Sequence, residues 1–348
     1  MTGRLAHILR RARGLVARGR AGYRARLAGE VGRYAACEEV HDLPAIFHYW
    51  SNRYLRPRLE AHGFSHPDAF FAKYAGECLA CAKDAGRHGA RLLSVGAGNC
   101  DTEVRLAAAL RDQGHGEFVI ECLDVNRAML DRGRTHADRA GVSPHLAFVC
   151  ADVNRFGFEG PYDAVIANQS LHHIVELERL FDGIVRSLAP TGRFIVSDMI
   201  GRNGHQRWPE ARAIVDEFWT ELPPAYRVNR QLRRTEQRFL DWDCSTSGFE
   251  GVRAQDILPL CVERFGFDLF IGFANVIDPF IDRGFGPNFD ADAPWDRAFI
   301  DRVHARDEAE IRAGRVKPTH MFAVMTRGPG AGVHHDGLSP ADAIRRPG

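Results

Sequence analysis

Two glycines and two aspartates stand where runs of apolar residues end, and this placement indicates a ligand site. Gly96 and Gly98 follow the run ARLLSV and precede a segment with helical periodicity. Such a turn brings bare backbone against a ligand, and the helix N-terminus adds a partial positive charge. Asp124 ends the run ECLD, where its carboxylate can accept hydrogen bonds from both ribose hydroxyls. Asp152 ends VCAD, where it can accept one from an adenine amine, so the sequence predicts a site for adenosine without phosphate.

Two other interpretations of these residues stay open. In the dinucleotide fingerprint GxGxxG the third glycine allows close helix packing, but Asp101 occupies that place here. A carboxylate there repels a pyrophosphate, which argues against a nicotinamide-dependent oxidoreductase. Alternatively, the glycines form only a tight turn, and Asp124 and Asp152 cap the helices that follow them. We favour a ligand because all four residues agree in register.

The elements that must position these residues alternate along the chain. Strand-like runs (ARLLSV, FVIECLD, HLAFVC, YDAVIAN and GRFIVSD) are separated by helical segments, which predicts βαβ units and a parallel sheet. A helical region precedes them, and a second one, rich in aromatic residues, follows Met199. FDLFIGFANVI and THMFAVMTR predict two further strands.

Composition sets the broad class. With 348 residues, 45% hydrophobic and 26% charged, the chain has room for about two domains or one large domain with insertions. A net charge of +1 gives no global attraction to nucleic acid. No apolar run approaches the roughly 18 residues that cross a bilayer, and the arginine-rich N-terminus has no signal core, so we expect a cytoplasmic protein with reduced cysteines.

From Leu92 to Asp198 the chain resembles the class I S-adenosylmethionine-dependent methyltransferases. The motifs are the glycine turn, DVNRAML, CADVN, YDAVIANQSLHHI and LAPTGRFIVSD. The resemblance implies a Rossmann-like α/β fold with a seven-stranded, mostly parallel sheet and S-adenosyl-L-methionine as cofactor. Three positions depart from the family pattern: Cys100 stands for a frequent glycine, Ser94 for an acid, and Thr191 for the first glycine of a PGG turn.

The expected cofactor contacts come from the turn, the strand ends and the preceding aromatic segment. They are Gly96, Ala97, Gly98, Asn99, Asp124, Val125, Asp152, Val153 and Asn168, with Tyr49 and Arg53 at the methionine end.

The methyl acceptor should lie at the carboxyl ends of the fourth and fifth strands, because ligands of open α/β sheets bind there. An imidazole suits a general base at neutral pH, so the catalytic candidates are His173, His172 and His205. A structural role at a helix start is the alternative for the histidine pair. Gln169, Asp198 and Trp208 are candidates for binding the acceptor. No side chains stand at metal-ligand spacing, and we expect no metal.

The predicted organisation is a basic extension (1–37), a helical cover (38–88), the cofactor-binding core (89–200), a helical lid (201–265), a closing strand hairpin with a helical insertion (266–328) and a flexible tail (329–348). The leading hypothesis is an enzyme that methylates oxygen, nitrogen or carbon of a small molecule or of a lipid- or sugar-linked intermediate. The alternatives are a cofactor-binding regulatory subunit without turnover, an RNA methyltransferase and the oxidoreductase. The basic N-terminus leaves contact with anionic lipid open, and the oligomeric state is not predicted.

Overall fold

A computed structural model describes residues 19–35, 43–246 and 248–346, and its centre is an eight-stranded sheet. The strands are β1 (Ala90–Val95), β2 (Phe118–Asp124), β3 (Leu146–Cys150), β4 (Tyr162–Asn168), β5 (Leu188–Met199), β8 (Gly266–Phe273), β9 (His320–Thr326) and β10 (Val333–His334). Two short strands, β6 (Val228–Asn229) and β7 (Arg234–Thr235), form a separate hairpin. The sheet order is β10-β8-β9-β5-β4-β1-β2-β3.

Helices cover the sheet. They are α1 (Gly19–Ala35), α2 (Ala45–Trp50), α3 (Arg56–Glu60), α4 (Pro67–Asp84), α5 (Asp101–Asp112), α6 (Arg127–Ala140), α7 (Leu177–Ser187), α8 (Pro209–Glu221), α9 (Ala254–Arg264), α10 (Asp278–Ile281) and α11 (Pro294–Arg312). The strands are apolar on both faces: Leu92 packs in one core and Leu93 in the other, as the two-residue period of a strand requires. The predicted α/β class is therefore confirmed.

The first five strands, β1 through β5, pair in parallel, so their carboxyl ends lie on the same edge of the sheet. β9 inserts antiparallel between β5 and β8, which is the closing hairpin expected from the resemblance. The eighth strand, β10, adds two residues beside β8. It lies in the segment 329–348, which the Gly- and Pro-rich sequence predicts to be a flexible tail.

Helix α1 belongs to the segment predicted as a basic extension, yet it lies against the carboxyl ends of the strands. It reaches the loop after β2, where Asn126 donates a hydrogen bond to the Val31 carbonyl (3.1 Å), and the loop after β4, where His173 meets Glu30 (2.9 Å). Among the described residues, no helix has the length and apolar character that a membrane span requires.

Candidate functional site

Asp124 ties the end of β2 to the glycine turn after β1. Its Oδ2 accepts a hydrogen bond from the Gly98 amide at 2.9 Å, and its Oδ1 accepts one from the Asn126 amide at 2.7 Å. The φ of Gly98 is +55°, in the left-handed region that favours glycine. Burial raises the pKa of Asp124, and the two amides oppose that rise. Each carboxylate oxygen has a second lone pair, so Asp124 retains acceptor capacity for two ribose hydroxyls.

Asp152 already has protein partners. Its carboxylate accepts hydrogen bonds from the Asn154 amide (3.0 Å) and from the Tyr23 hydroxyl of α1, at 3.0 and 3.1 Å to its two oxygens. The first of these contacts caps a one-turn helix, Val153–Arg155, as the capping interpretation predicts. Burial and the Asp152 charge raise the pKa of Tyr23, which keeps this phenol a donor. An adenine amine at Asp152 would therefore compete with Tyr23.

The other predicted cofactor residues of the core lie on the same edge of the sheet. The amides of Gly96 and Ala97 donate to the Leu123 carbonyl, at 2.8 and 3.1 Å. The Val125 carbonyl accepts a hydrogen bond from the Cys150 thiol at 3.7 Å, and Val153 begins the capped turn. Two amide side chains contact neighbouring helices. Asn99 accepts from Arg132 of α6 at 2.9 Å, and Asn168 donates to Thr102 of α5 at 3.1 Å.

The three departures from the family pattern have local explanations. A buried acid from α5, Glu103, replaces the one missing at Ser94 and accepts a hydrogen bond from its hydroxyl at 2.6 Å. Burial, opposed by that bond, raises the pKa of Glu103 to about 7. Cys100 has a left-handed φ of +58°, the region that favours glycine, and Gly133 makes room for its side chain. Thr191 is exposed, so a side chain is tolerated there.

The three histidines predicted as catalytic come together around one carboxylate, that of Glu250. His172 Nε2 lies 3.3 Å from Glu250 Oε1, His173 Nε2 lies 3.4 Å from Oε2, and His205 Nε2 lies 2.7 Å from Oε1. The second ring nitrogens of the histidine pair also have carboxylate partners. His172 Nδ1 lies 2.6 Å from Asp198, and His173 Nδ1 lies 2.9 Å from Glu30. We call His172, His173, His205 and Glu250 the histidine cluster.

Burial and neighbouring charges shift the pKa values of the residues in and around the histidine cluster. Burial by itself lowers the pKa of His172, but Asp198 and Glu250 outweigh it and raise that pKa to about 10. Burial raises the pKa of Asp198, but the His172 charge and hydrogen bond hold it below its usual range. Hydrogen bonds from His172 and His205 likewise overcome burial and depress the pKa of Glu250. Burial lowers the pKa of His205, against the effect of Glu250.

The predicted acceptor-binding residues are not brought together. Asp198 is fully buried, and its carboxylate accepts hydrogen bonds from the amides of Ser170, Leu171 and Met199 in addition to His172. It therefore positions the loop after β4 and has no exposed oxygen for an acceptor. The Trp208 ring contacts the guanidinium groups of Arg202 and Arg345, which lie 5.6 and 4.5 Å from its centroid. Gln169, whose φ is +52°, donates a hydrogen bond from its side chain to the Ser197 hydroxyl at 3.4 Å.

Contact of Tyr49 and Arg53 with the methionine end of the cofactor stays a prediction, and in the structure both side chains have protein partners. The Tyr49 hydroxyl donates to Asp301 of α11 at 2.9 Å, and Arg53 donates to the Tyr54 hydroxyl at 3.0 Å. The segment that contains α2 packs on α11, so its aromatic residues serve the core there. The cover over the site is α1 instead.

Sequence reasoning missed Tyr23, Glu30 and Glu250. No motif surrounds them, and they come from segments remote in sequence from the strands they meet. The one available signal was the apolar periodicity of the basic N-terminal segment, which is typical of a helix that packs on the protein. Glu250 lies in a loop and carries no sequence signal.

Residues 92–192 match the family described as "Methyltransferase domain". The chain contains a class I S-adenosylmethionine-dependent methyltransferase domain. The matched range begins within β1 and ends within β5, so this methyltransferase domain includes the glycine turn, both aspartates and the histidine pair. Its cofactor is S-adenosyl-L-methionine, as the sequence predicts.

Similar proteins match over part of their length. A 27-O-demethylrifamycin SV methyltransferase of Amycolatopsis mediterranei is 27% identical over 115 residues, which are 33% of this chain and 40% of that protein. The ubiquinone/menaquinone biosynthesis C-methyltransferase UbiE of Vibrio cholerae is 24% identical over 46% of this chain and 57% of its own. The chain thus spans less than two thirds of these relatives. A geranyl diphosphate C-methyltransferase structure from Streptomyces coelicolor A3(2) has 14% identity, covers 86% of this chain and 97% of its own, and has a TM-score of 0.43.

Proposed function

We propose that the protein transfers a methyl group from S-adenosylmethionine to a small-molecule acceptor. One observation carries this proposal: the glycine turn with Asp124 and the histidine cluster lie on the same edge of one parallel sheet, under the same helix α1. The first group is suited to a nucleoside, and the second offers one candidate proton acceptor, Nδ1 of His205. Asp124 retains free lone pairs, so the residues present fit the ribose.

S-adenosylmethionine, when bound, supplies an electrophilic methyl group on a sulfonium. The chain has to hold the acceptor in line and exclude water, since proximity and dehydration account for much of such catalysis. An acceptor that must lose a proton needs a base. His205 is our candidate, because a neutral imidazole that donates Nε2–H to Glu250 carries its lone pair on Nδ1. His172 has carboxylate oxygens at both ring nitrogens, so neither nitrogen is open to an acceptor.

The enclosed position of the histidine cluster favours a small molecule as the methyl acceptor. His172 is only 4% exposed, and α1 contacts the histidine cluster through Glu30 and Tyr34 (Tyr34 Oη to Glu250, 3.3 Å). A large polymer would need this cover to move away. The relatives are named for a rifamycin and for ubiquinone and menaquinone, which are small molecules.

The first experiment is calorimetric titration of the purified chain with S-adenosylmethionine, S-adenosylhomocysteine and NADH. Micromolar binding of the first two, and none of the third, supports the proposal and justifies an acceptor screen with a labelled methyl group. Binding of NADH alone refutes it. Tight cofactor binding with no transfer to any acceptor in a broad screen favours the regulatory subunit.

An RNA methyltransferase needs a different test from simple deletion of the N-terminus. Removing residues up to 33 also removes Tyr23 and Glu30, which contact Asp152 and His173. Loss of activity in that deletion would not identify an RNA contact. A steep decrease of RNA affinity with salt in the intact chain would favour RNA, whereas the small-molecule proposal predicts no such binding.

A further inference from the structure

The histidine cluster brings three potential metal ligands together: His172, His173 and Glu250. Charge-assisted N–H···O bonds are usually about 2.7–2.9 Å long. The His172 and His173 contacts to Glu250 are longer, at 3.3 and 3.4 Å. They end on different oxygens of that carboxylate, Oε1 and Oε2. Zinc binds nitrogen and oxygen at about 2.0–2.1 Å, so the ligand atoms of one ion lie within a few ångströms of one another. One ligand atom from each of the three residues lies within 4.8 Å of the others.

The opposite side of each imidazole supports the same conclusion. A histidine that binds a metal usually gives its other ring N–H to a carboxylate, which fixes the tautomer and the ring orientation. His172 Nδ1 meets Asp198 at 2.6 Å, and His173 Nδ1 meets Glu30 at 2.9 Å. Both rings are therefore held with Nε2 facing the Glu250 carboxylate. Two such carboxylate–histidine pairs facing a third carboxylate, Glu250, make the cluster acidic enough to balance a divalent cation.

We propose that His172, His173 and Glu250 bind a divalent transition-metal ion of the zinc class. Imidazole ligands suit zinc, cobalt or iron, whereas magnesium and calcium prefer oxygen. His205, 2.7 Å from Glu250, is the outer partner that orients this carboxylate. Three protein ligands leave one position open, as in catalytic zinc sites. That this position receives an oxygen of the acceptor rests on the proposed function; metal binding itself does not.

Metal content and cobalt spectroscopy test the proposal on the full-length, untagged chain. The protein is dialysed against metal-free buffer, assayed by mass spectrometry of the elements, stripped with a chelator and titrated with Co²⁺. We expect one metal ion per chain and visible absorption bands of four-coordinate Co²⁺, which one equivalent of Zn²⁺ abolishes. No retained metal together with no visible bands in the folded wild-type chain would overturn the proposal, whatever the variants do.

Variants locate the ion. Glu250→Gln and His173→Ala should weaken Zn²⁺ binding more than about a hundredfold, and Glu30→Gln, in the outer shell, by about 10- to 100-fold. His62→Ala is the matched control, because His62 contacts His335 at 3.0 Å, outside the cluster, and should leave the affinity unchanged. Wild-type affinity in a folded Glu250→Gln or Glu30→Gln variant would refute this site.

The same measurements separate the metal site from the proposed function. Binding of S-adenosylhomocysteine depends on Asp124 and the glycine turn, so it should persist after chelation. If the chain binds one metal ion but transfers no methyl group, the metal site stands and the function falls. If methyl transfer occurs at full rate in metal-free, folded protein with no cobalt bands, the function stands and the metal site falls.

Discussion

Replacing Asp124 by alanine tests where the adenosine lies. In the structure each oxygen of this carboxylate accepts one backbone amide, from Gly98 at 2.9 Å and Asn126 at 2.7 Å. One lone pair on each oxygen remains for a ribose hydroxyl. A hydrogen bond to a charged group contributes about 1.5–3 kcal/mol. Two such bonds would total about 3–6 kcal/mol, but alanine lets water and the freed amides replace part of them.

We therefore expect the Asp124→Ala variant to bind S-adenosylhomocysteine at least about tenfold more weakly, since about 1.4 kcal/mol corresponds to a factor of ten. Calorimetry measures the affinity, and thermal unfolding confirms that the variant is folded. Asp112→Ala is the matched control, because the Asp112 side chain is 74% exposed on the surface of α5.

A deoxyribose analogue of the ligand separates a ribose contact from a general effect on the turn. Removing a hydroxyl should weaken binding to the wild-type chain but have little further effect on Asp124→Ala, because the partner is already absent. Equal losses in both proteins, or unchanged affinity in folded Asp124→Ala, would refute this placement of the ribose.

Three further predictions follow from other contacts. Tyr23→Phe should bind S-adenosylhomocysteine roughly threefold to tenfold more tightly in calorimetry, since the ligand no longer displaces a donor from Asp152; weaker binding would make Tyr23 a cofactor contact. Glu103 has a pKa of about 7 when folded, raised from 4.5, so the folded state holds its proton longer and stability falls as pH rises from about 4.5 to 7. Glu103→Gln should remove up to about 3 kcal/mol of that fall. The free energy of unfolding of both proteins is measured by denaturation at pH 5 and 8, and an equal change with pH in the two proteins would contradict the prediction. Arg207→Met should cost about 3–5 kcal/mol in denaturant unfolding, because it leaves Asp278, 2.6 Å away, buried without this guanidinium. A loss below about 1 kcal/mol would show that His320, whose Nε2 lies 3.3 Å from Asp278, is a sufficient partner.

The sequence by itself determined the class of fold and the cofactor. Alternation of apolar runs and helical segments reflects local periodicity, so it can be interpreted without knowing which strands are neighbours. Gly96, Gly98 and Asp124 were recognisable because each follows a strand, and parallel strands bring their carboxyl ends to one edge. The two strands of the closing hairpin also followed from such local patterns, whereas their pairing was expected from the family resemblance.

The tertiary structure decided how the site is closed and charged. Glu250 has no local signature, and only the return of its loop to the end of β4 places it among His172, His173 and His205. The N-terminal segment gave only a weak amphipathic pattern, and its position over Asp152 depends on packing with residues far along the chain. Asp198 was predicted to bind the acceptor, but burial commits its oxygens to backbone amides and His172. Long-range contacts of this kind leave no spacing in the sequence, because the partners are joined only by the folded chain.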